Sequence, residues 1–175
     1  MTDSVIKRPG DDEYLPYFGR YISLVPEGDI TTTLDTQLEG TLALLRRLPE
    51  SKGSFRYAPD KWSIKELVGH LTDTERIFAM RALRFSRNDQ TPLPGFDEND
   101  YVRNSSFGDY ALADLAKGFD SVRRSTVFLF KHMTDEASQR RGKANDAEVS
   151  VRALAYIAAG HELHHLSVLK TRYLI

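Results

Sequence analysis

The amino-acid sequence predicts an all-α protein, a four-helix bundle with a long crossover loop between helices two and three. Four stretches place apolar residues at steps of three and four, and segments rich in Pro, Gly, Asn and Asp separate them. No alternating strand pattern of useful length interrupts this order. The chain has 175 residues, 41% hydrophobic and 28% charged, enough for one domain with a substantial core. Residues 1–175 are therefore read as a single domain, with 1–28 as an N-terminal strap.

The segment from Tyr14 to Pro26 is aromatic but interrupted by Pro16 and Gly19, so it is expected to lie across the core as an irregular strap. Gly28-Asp29 opens the first helix, whose Leu34, Leu38, Thr41, Leu45 and Leu48 form a stripe that Pro49 ends. A polar stretch follows. Ser63 with Glu66 then makes a capping box that starts the second helix. Its stripe runs Ile64, Leu67, Leu71, Phe78, Ala82 and Phe85 until Asn88-Asp89. His70 lies about 60° around the axis from Leu67, at the edge of that stripe, and can point into a shallow interior.

From Asn88 to Asp109 the chain carries Pro92, Pro94, Gly95 and Gly108, a connection longer than usual and suited to a lid. Leu112, Leu115, Phe119, Val122, Thr126, Leu129 and Met133 mark the third helix, with His132 near its end as a C-terminal cation. Val127 and Phe130 fall outside this stripe and suit either a dimer contact or the aromatic strap. A polar turn from Thr134 to Glu148 leads to the fourth helix, roughly Ser150 to Tyr173. There Leu154, Ile157, Ala158, His161, His164, His165 and Val168 share one face.

Composition excludes several function classes. With 24 basic against 25 acidic residues the net charge is −1, so no field favours nucleic acid or an anionic bilayer. No apolar run approaches the roughly 18 residues of a membrane span, and Met1 to Gly10 is polar without the features of a leader; a cytoplasmic location is expected. There is no cysteine. Disulfides, thiolate ligands and cysteine nucleophiles are absent with it, and a metal must be held by imidazole and oxygen. Thiol chemistry would need an external thiol.

The chemistry concentrates in Gly160-His161-Glu162-Leu163-His164-His165-Leu166, which holds three of the five histidines. On a helix His161 and His165 stand about 40° apart and one turn up, so they can share one metal ion. The letters satisfy H-E-x-x-H, but no His, Asp, Glu or Cys follows His165 to complete a peptidase-type zinc site. Glu162-x-x-His165 also matches half of a carboxylate-bridged di-iron signature, of which the chain has no second copy. A third ligand must come from upstream. The competing reading is a pair of core histidines bonded to backbone carbonyls.

Other residues carry paired readings. Glu162, about 100° from His161, serves as a base, accepts a hydrogen bond, or faces solvent. His164 replaces His165 as ligand, supports it, or simply packs. Asp73 and Glu66 flank His70 as orienting carboxylates or as solvated ones. Asp97, Glu98, Asp100 and Tyr101 cover the site or form a turn anchored by Phe96. Arg81, Arg84 and Arg172 hold an anionic substrate or sit in surface salt bridges.

Trp62-Ser63-Ile64-Lys65-Glu66-Leu67-Val68-Gly69-His70-Leu71, Pro92-Leu93-Pro94-Gly95-Phe96-Asp97-Glu98-Asn99 and Ala159-Gly160-His161-Glu162-Leu163-His164-His165-Leu166 together resemble the DinB-like superfamily over nearly the whole chain. The resemblance implies one divalent metal held by His70, His161 and His165, a small-molecule substrate and a homodimer. Relatives of this kind include thiol transferases that use bacillithiol or glutathione, mycothiol-dependent isomerases, and proteins assigned as metal-dependent hydrolases. Three imidazoles leave a coordination position open, and a cation there lowers the pKa of water toward roughly 7 and deprotonates a thiol. Zinc is the expected metal, with nickel or iron also suited to nitrogen donors, and an external low-molecular-weight thiol is a candidate cosubstrate. The expected function is transfer to, or hydrolysis of, a small molecule through activated water or thiol. The alternative is a non-catalytic metal-binding or stress-related bundle.

Overall fold

The computed structural model describes residues 6–175. All four expected helices form, three of them opened by a side-chain cap from their own sequence. Helix α1 is a short helix of about two turns, Pro16–Ile22, inside the stretch expected to be irregular; Pro16 occupies its first turn, where no backbone N–H is missed. The first five residues of the expected strap lie outside the described residues. Helix α2, Ile30–Arg47, is capped by Asp29, which accepts from the Thr32 N–H at 2.7 Å. Helix α3, Ile64–Ser86, starts on the capping box: the Glu66 N–H donates to Ser63 Oγ at 3.2 Å, and the Ser63 N–H to Glu66 Oε2 at 2.6 Å.

The long connection that follows contains helix α4, Glu98–Arg103, capped by Asp97. Helix α5, Leu112–Lys131, leads to the short α6, Asp135–Gln139. The stretch from Thr134 to Glu148, expected as a polar turn, thus holds α6 and most of a hairpin of β1, Arg141–Ala144, and β2, Ala147–Ser150, in antiparallel register with Ala144 opposite Ala147. Asn145 and Asp146 take positive φ (52° and 60°), the backbone that a two-residue hairpin turn requires and that these residue types tolerate. The strands are four residues each, too short for an alternation to register in the sequence. Helix α7, Val151–Arg172, then runs directly from the hairpin, with Ser150 accepting from the Ala153 N–H at 3.0 Å.

Around the bundle the long helices neighbour one another in the order α2, α5, α3, α7, while α1 lies along α7 and the hairpin touches α3 and α7. Those covers explain a departure from the expected one-sided α7: from Ala153 to Glu162 it is buried all round. The apolar core falls into two clusters. One contains Leu34, Phe78, Phe85, Phe130 and Ile157; the other contains Leu38, Leu67, Leu71, Phe119 and Leu169. On three of the four long helices a polar step marks the break between clusters, at Thr74 and Glu75 with His70 beside them on α3, Arg123 on α5, and His161 and Glu162 on α7. A polar layer therefore crosses the middle of the bundle.

This layer also shifts the buried face of α5. Val122 and Leu129, expected on the stripe, are half-buried, whereas Arg123 is fully buried and Phe130 is 2% exposed. Phe130 is thus spent inside the fold, with Val127 packed against its cluster.

Candidate metal centre

Helices α3 and α7 pack along their length, and this brings His70 to the turn of α7 that carries His161 and His165. His161 Nε2 stands 3.1 Å from His70 Nε2 and 3.1 Å from His165 Nε2. One donor atom from each residue lies within 4.8 Å of the others. His70 and His161 are buried and His165 is half-buried.

These spacings test the rival reading. A neutral imidazole nitrogen offers one N–H or one lone pair, so His161 Nε2 cannot complete good hydrogen bonds to both neighbours. Two of the three rings would face each other lone pair to lone pair or proton to proton. Nitrogens arranged tetrahedrally at about 2.0–2.1 Å from a zinc ion would be about 3.3 Å apart, close to what the rings adopt. Burial keeps the rings neutral. It pushes His70 down to about 4 and His165 to about 3, the latter helped by His70, His164 and Arg20. His161 falls well below the usual range, first by burial and then through His165 and His70. Three neutral rings with converging lone pairs fit a divalent cation better than they fit one another.

The surroundings orient the rings. Thr74 Oγ1 lies 3.3 Å from His70 Nδ1, one turn along α3, and a Nδ1–H donated to it leaves the Nε2 lone pair inward. Asp73 and Glu66 do not take this role: Asp73 pairs with Arg76 at 2.8 Å, and Glu66 closes the capping box and pairs with Arg56. His165 Nδ1 is buried without a hydrogen-bond partner among the described residues. The Trp62 ring lies 4.6 Å from that of His70, and Tyr21 lies 5.5 Å from His161 and 5.4 Å from His164. Each buried ligand candidate follows a glycine that serves as a notch. A Cβ on Gly69 would strike the Phe107 ring, and one on Gly160 would strike the backbone of Tyr21.

Glu162 goes elsewhere. Only 1% exposed, it receives Arg123 Nη1 at 2.7 Å and Thr41 Oγ1 at 2.5 Å. The expected base role is therefore not carried forward, because the carboxylate is committed to the Arg123 cation. Arg123 also grips Glu75 with two bonds of 2.7 Å and donates to the Leu34 carbonyl at 3.0 Å, so that one guanidinium ties α2, α3, α5 and α7 together. Glu75 and Glu162 lie on the two ligand-bearing helices, next in sequence to Thr74 and His161. Sequence reading missed Arg123, since its partners sit on other helices. It also missed Thr74, which helical spacing from His70 alone would have found.

The histidines open onto a cavity of 520 Å³, within the range of small-molecule sites. His164 lines it, as do Phe18, Tyr21, Phe78 and Arg81. Burial, with Tyr17 beside it, pushes the Tyr21 hydroxyl up to about 12, so it remains a neutral phenol. Of the loop residues, Glu98 reaches the lining, Asp97 caps α4, Asp100 pairs with Arg103 at 2.8 Å, and Tyr101 packs on Phe96. Arg84 pairs with Asp89 at 2.6 Å and Arg172 is exposed at the end of α7, so neither joins the site.

Together the bundle and the histidine cluster define a helical protein with a candidate three-histidine metal centre on an open cavity. The family model of the DinB superfamily matches residues 33–169, which take in all three histidines, and the chain belongs to that superfamily. Among solved structures, YfiT from Bacillus subtilis, reported as a probable metal-dependent hydrolase with an unusual four-helix bundle topology, is similar with a TM-score of 0.66 and 16% identity. That match covers 95% of this chain and 93% of YfiT. A DinB-like protein from Bacillus subtilis, YjoA, is similar with a TM-score of 0.58 and 23% identity over 81% of this chain and 87% of its own. No curated protein matches the chain. At these identities the likeness is one of fold, and the histidine cluster fits a metal-dependent DinB-like protein.

Proposed function

We propose that the protein is a metal-dependent enzyme that acts on a small molecule, with His70, His161 and His165 holding one divalent ion. The convergence of three neutral imidazoles on the wall of a 520 Å³ cavity carries this reading. A divalent ion bound there supplies Lewis acidity and favours the deprotonated form of water or a thiol. The chain's own residues bind and orient. Thr74 holds His70 by Nδ1, and Tyr21 and Phe78 wall the site and exclude water from one side. The carboxylates on the lining, Glu98 and Glu148, are exposed at its edge, and Glu148 pairs with Arg141. Hydrolysis or thiol transfer, with zinc, nickel or iron as the metal, belongs to this reading, as does the homodimer that the superfamily resemblance implies.

Metal content of wild type and of His70→Ala and His161→Ala, purified without chelator or nickel column, tests it. About one equivalent in wild type and almost none in either folded variant is expected. Trp62 is the chain's single tryptophan and lies 4.6 Å from His70, so added Ni²⁺ should quench its fluorescence in wild type and not in His70→Ala. Wild type that takes up none of the three metals would end the reading. Turnover of ester, amide and thiol-conjugation substrates by the metal-loaded protein, lost on chelation, then separates an enzyme from a bundle whose ion is only structural.

A further inference from the structure

Arg81 is buried, 7% exposed, and forms no ion pair among the described residues. Its one hydrogen bond runs from Nη2 to the Pro94 carbonyl at 2.8 Å. Nε is buried without a partner, and Nη1 has none among the described residues. Arg123, which is fully buried, is by contrast matched by two carboxylates. A guanidinium taken out of water without a counter-ion is destabilising, and burial accordingly pushes the Arg81 pKa down. The chain tolerates this charge on the wall of the histidine cavity. Of the two exposed carboxylates on the lining, Glu148 pairs with Arg141 and Glu98 forms no ion pair with Arg81.

Position gives the charge its meaning. Arg81 follows His70 by eleven residues of unbroken helix, which brings it back to within about 20° of the same face and about 16 Å along the axis. Helical side chains lean toward the N-terminus, so Arg81 leans back along the cavity toward the histidines. Thr74 and Phe78 stand between, and Phe18, Leu154 and Ile157 make the facing wall apolar. The cavity thus has a nitrogen-donor cluster at one end, where a second lining arginine, Arg20, is engaged by the Tyr17 and Tyr21 hydroxyls, an apolar middle, and Arg81 as the cation of the other end.

We propose that Arg81 is the anion-binding residue of this cavity, and that the substrate is a small molecule with an apolar body whose carboxylate pairs with Arg81 while its reacting end faces the three histidines. A carboxylate suits the site because one guanidinium presents a single charge in a planar fork. The placement of the reacting end rests on the proposed function; the anion site does not.

The test compares 6-phenylhexanoate with its neutral primary amide by calorimetry, on chelator-stripped and on Zn²⁺-loaded protein. The acid should bind about tenfold or more tighter than the amide in both forms, as a charge-assisted pair implies. Arg81→Met should reduce that preference to about twofold or less while still taking up one equivalent of Zn²⁺. Because the charge it removes is unpaired, the variant should melt close to wild type. Arg81→Lys, which keeps a cation but not the fork, should retain part of the preference. Equal binding of acid and amide by wild type, binding of neither, or a preference that survives in Arg81→Met overturns the proposal. So does a preference that disappears when the metal is stripped, since the carboxylate would then have been on the metal. A preference that stands in protein unable to bind any metal supports Arg81 and refutes the metal reading alone.

Discussion

Replacing Arg123 by methionine strikes a side chain that links all four long helices. The change keeps an unbranched apolar chain of similar reach and removes two bonds of 2.7 Å to Glu75, one of 2.7 Å to Glu162 and one of 3.0 Å to Leu34. Two carboxylates, 4% and 1% exposed, then lack a cation. Removing one partner of a buried pair costs about 3–5 kcal/mol, and here two anions lose the same partner, so the upper half of that range is expected. For a domain of this size each kcal/mol moves the melting temperature by about 2–4 °C, which predicts a fall of about 8–20 °C. Calorimetric melts at pH 7 measure it. Burial already raises the Glu162 pKa against the pull of Arg123, and the variant raises it further. A raised folded-state pKa adds stability at low pH that is lost as pH climbs, so the deficit should shrink between pH 7 and pH 5. The companion triple variant with Glu75→Leu and Glu162→Leu buries no charge and should recover most of the loss. A melt of Arg123→Met within about 2 °C of wild type would refute the claim that this guanidinium holds the ligand-bearing helices in register.

Two further outcomes follow from the same contacts. Burial opposes the Glu13 charge, but Arg152, Ser150 and the Gly10 N–H outweigh it and hold the carboxyl at about 2 instead of 4.5. That stability is present above pH 4.5 and is lost as pH falls toward 2; Glu13→Gln should cost about 1–2 kcal/mol at pH 7 after screening, and the gap to wild type should close in acid melts. Gly160→Ala pushes a methyl into the backbone of Tyr21, so it should destabilise by about 1–3 kcal/mol and loosen α1, read as faster amide exchange over residues 16–22.

Helix positions were legible because their determinants are local. Asp29, the Ser63–Glu66 box and Ser150 act within one turn of their own residues, and the stripe on α3 was buried as its spacing predicts. The hairpin and α1 were not, since strands of four residues and a seven-residue helix depend on the surfaces that cover them. The α5 stripe went astray for a related reason. An arginine reads as a solvent residue unless its counter-charges are known, and Glu75 and Glu162 lie 48 and 39 residues away.

The candidate site divides along the same line. The sequence by itself determined that His161 and His165 share a face, that no cysteine takes part, and that four long helices form, because spacing along one helix and composition decide these things. Tertiary structure alone decided that His70, 91 residues from His161, reaches it at 3.1 Å, that Glu162 turns to Arg123, and that Arg81, in the wall of the cavity, pairs with no carboxylate among the described residues. Those are relations between helices, settled by the packing of α3 against α7 and by where each buried charge finds its partner.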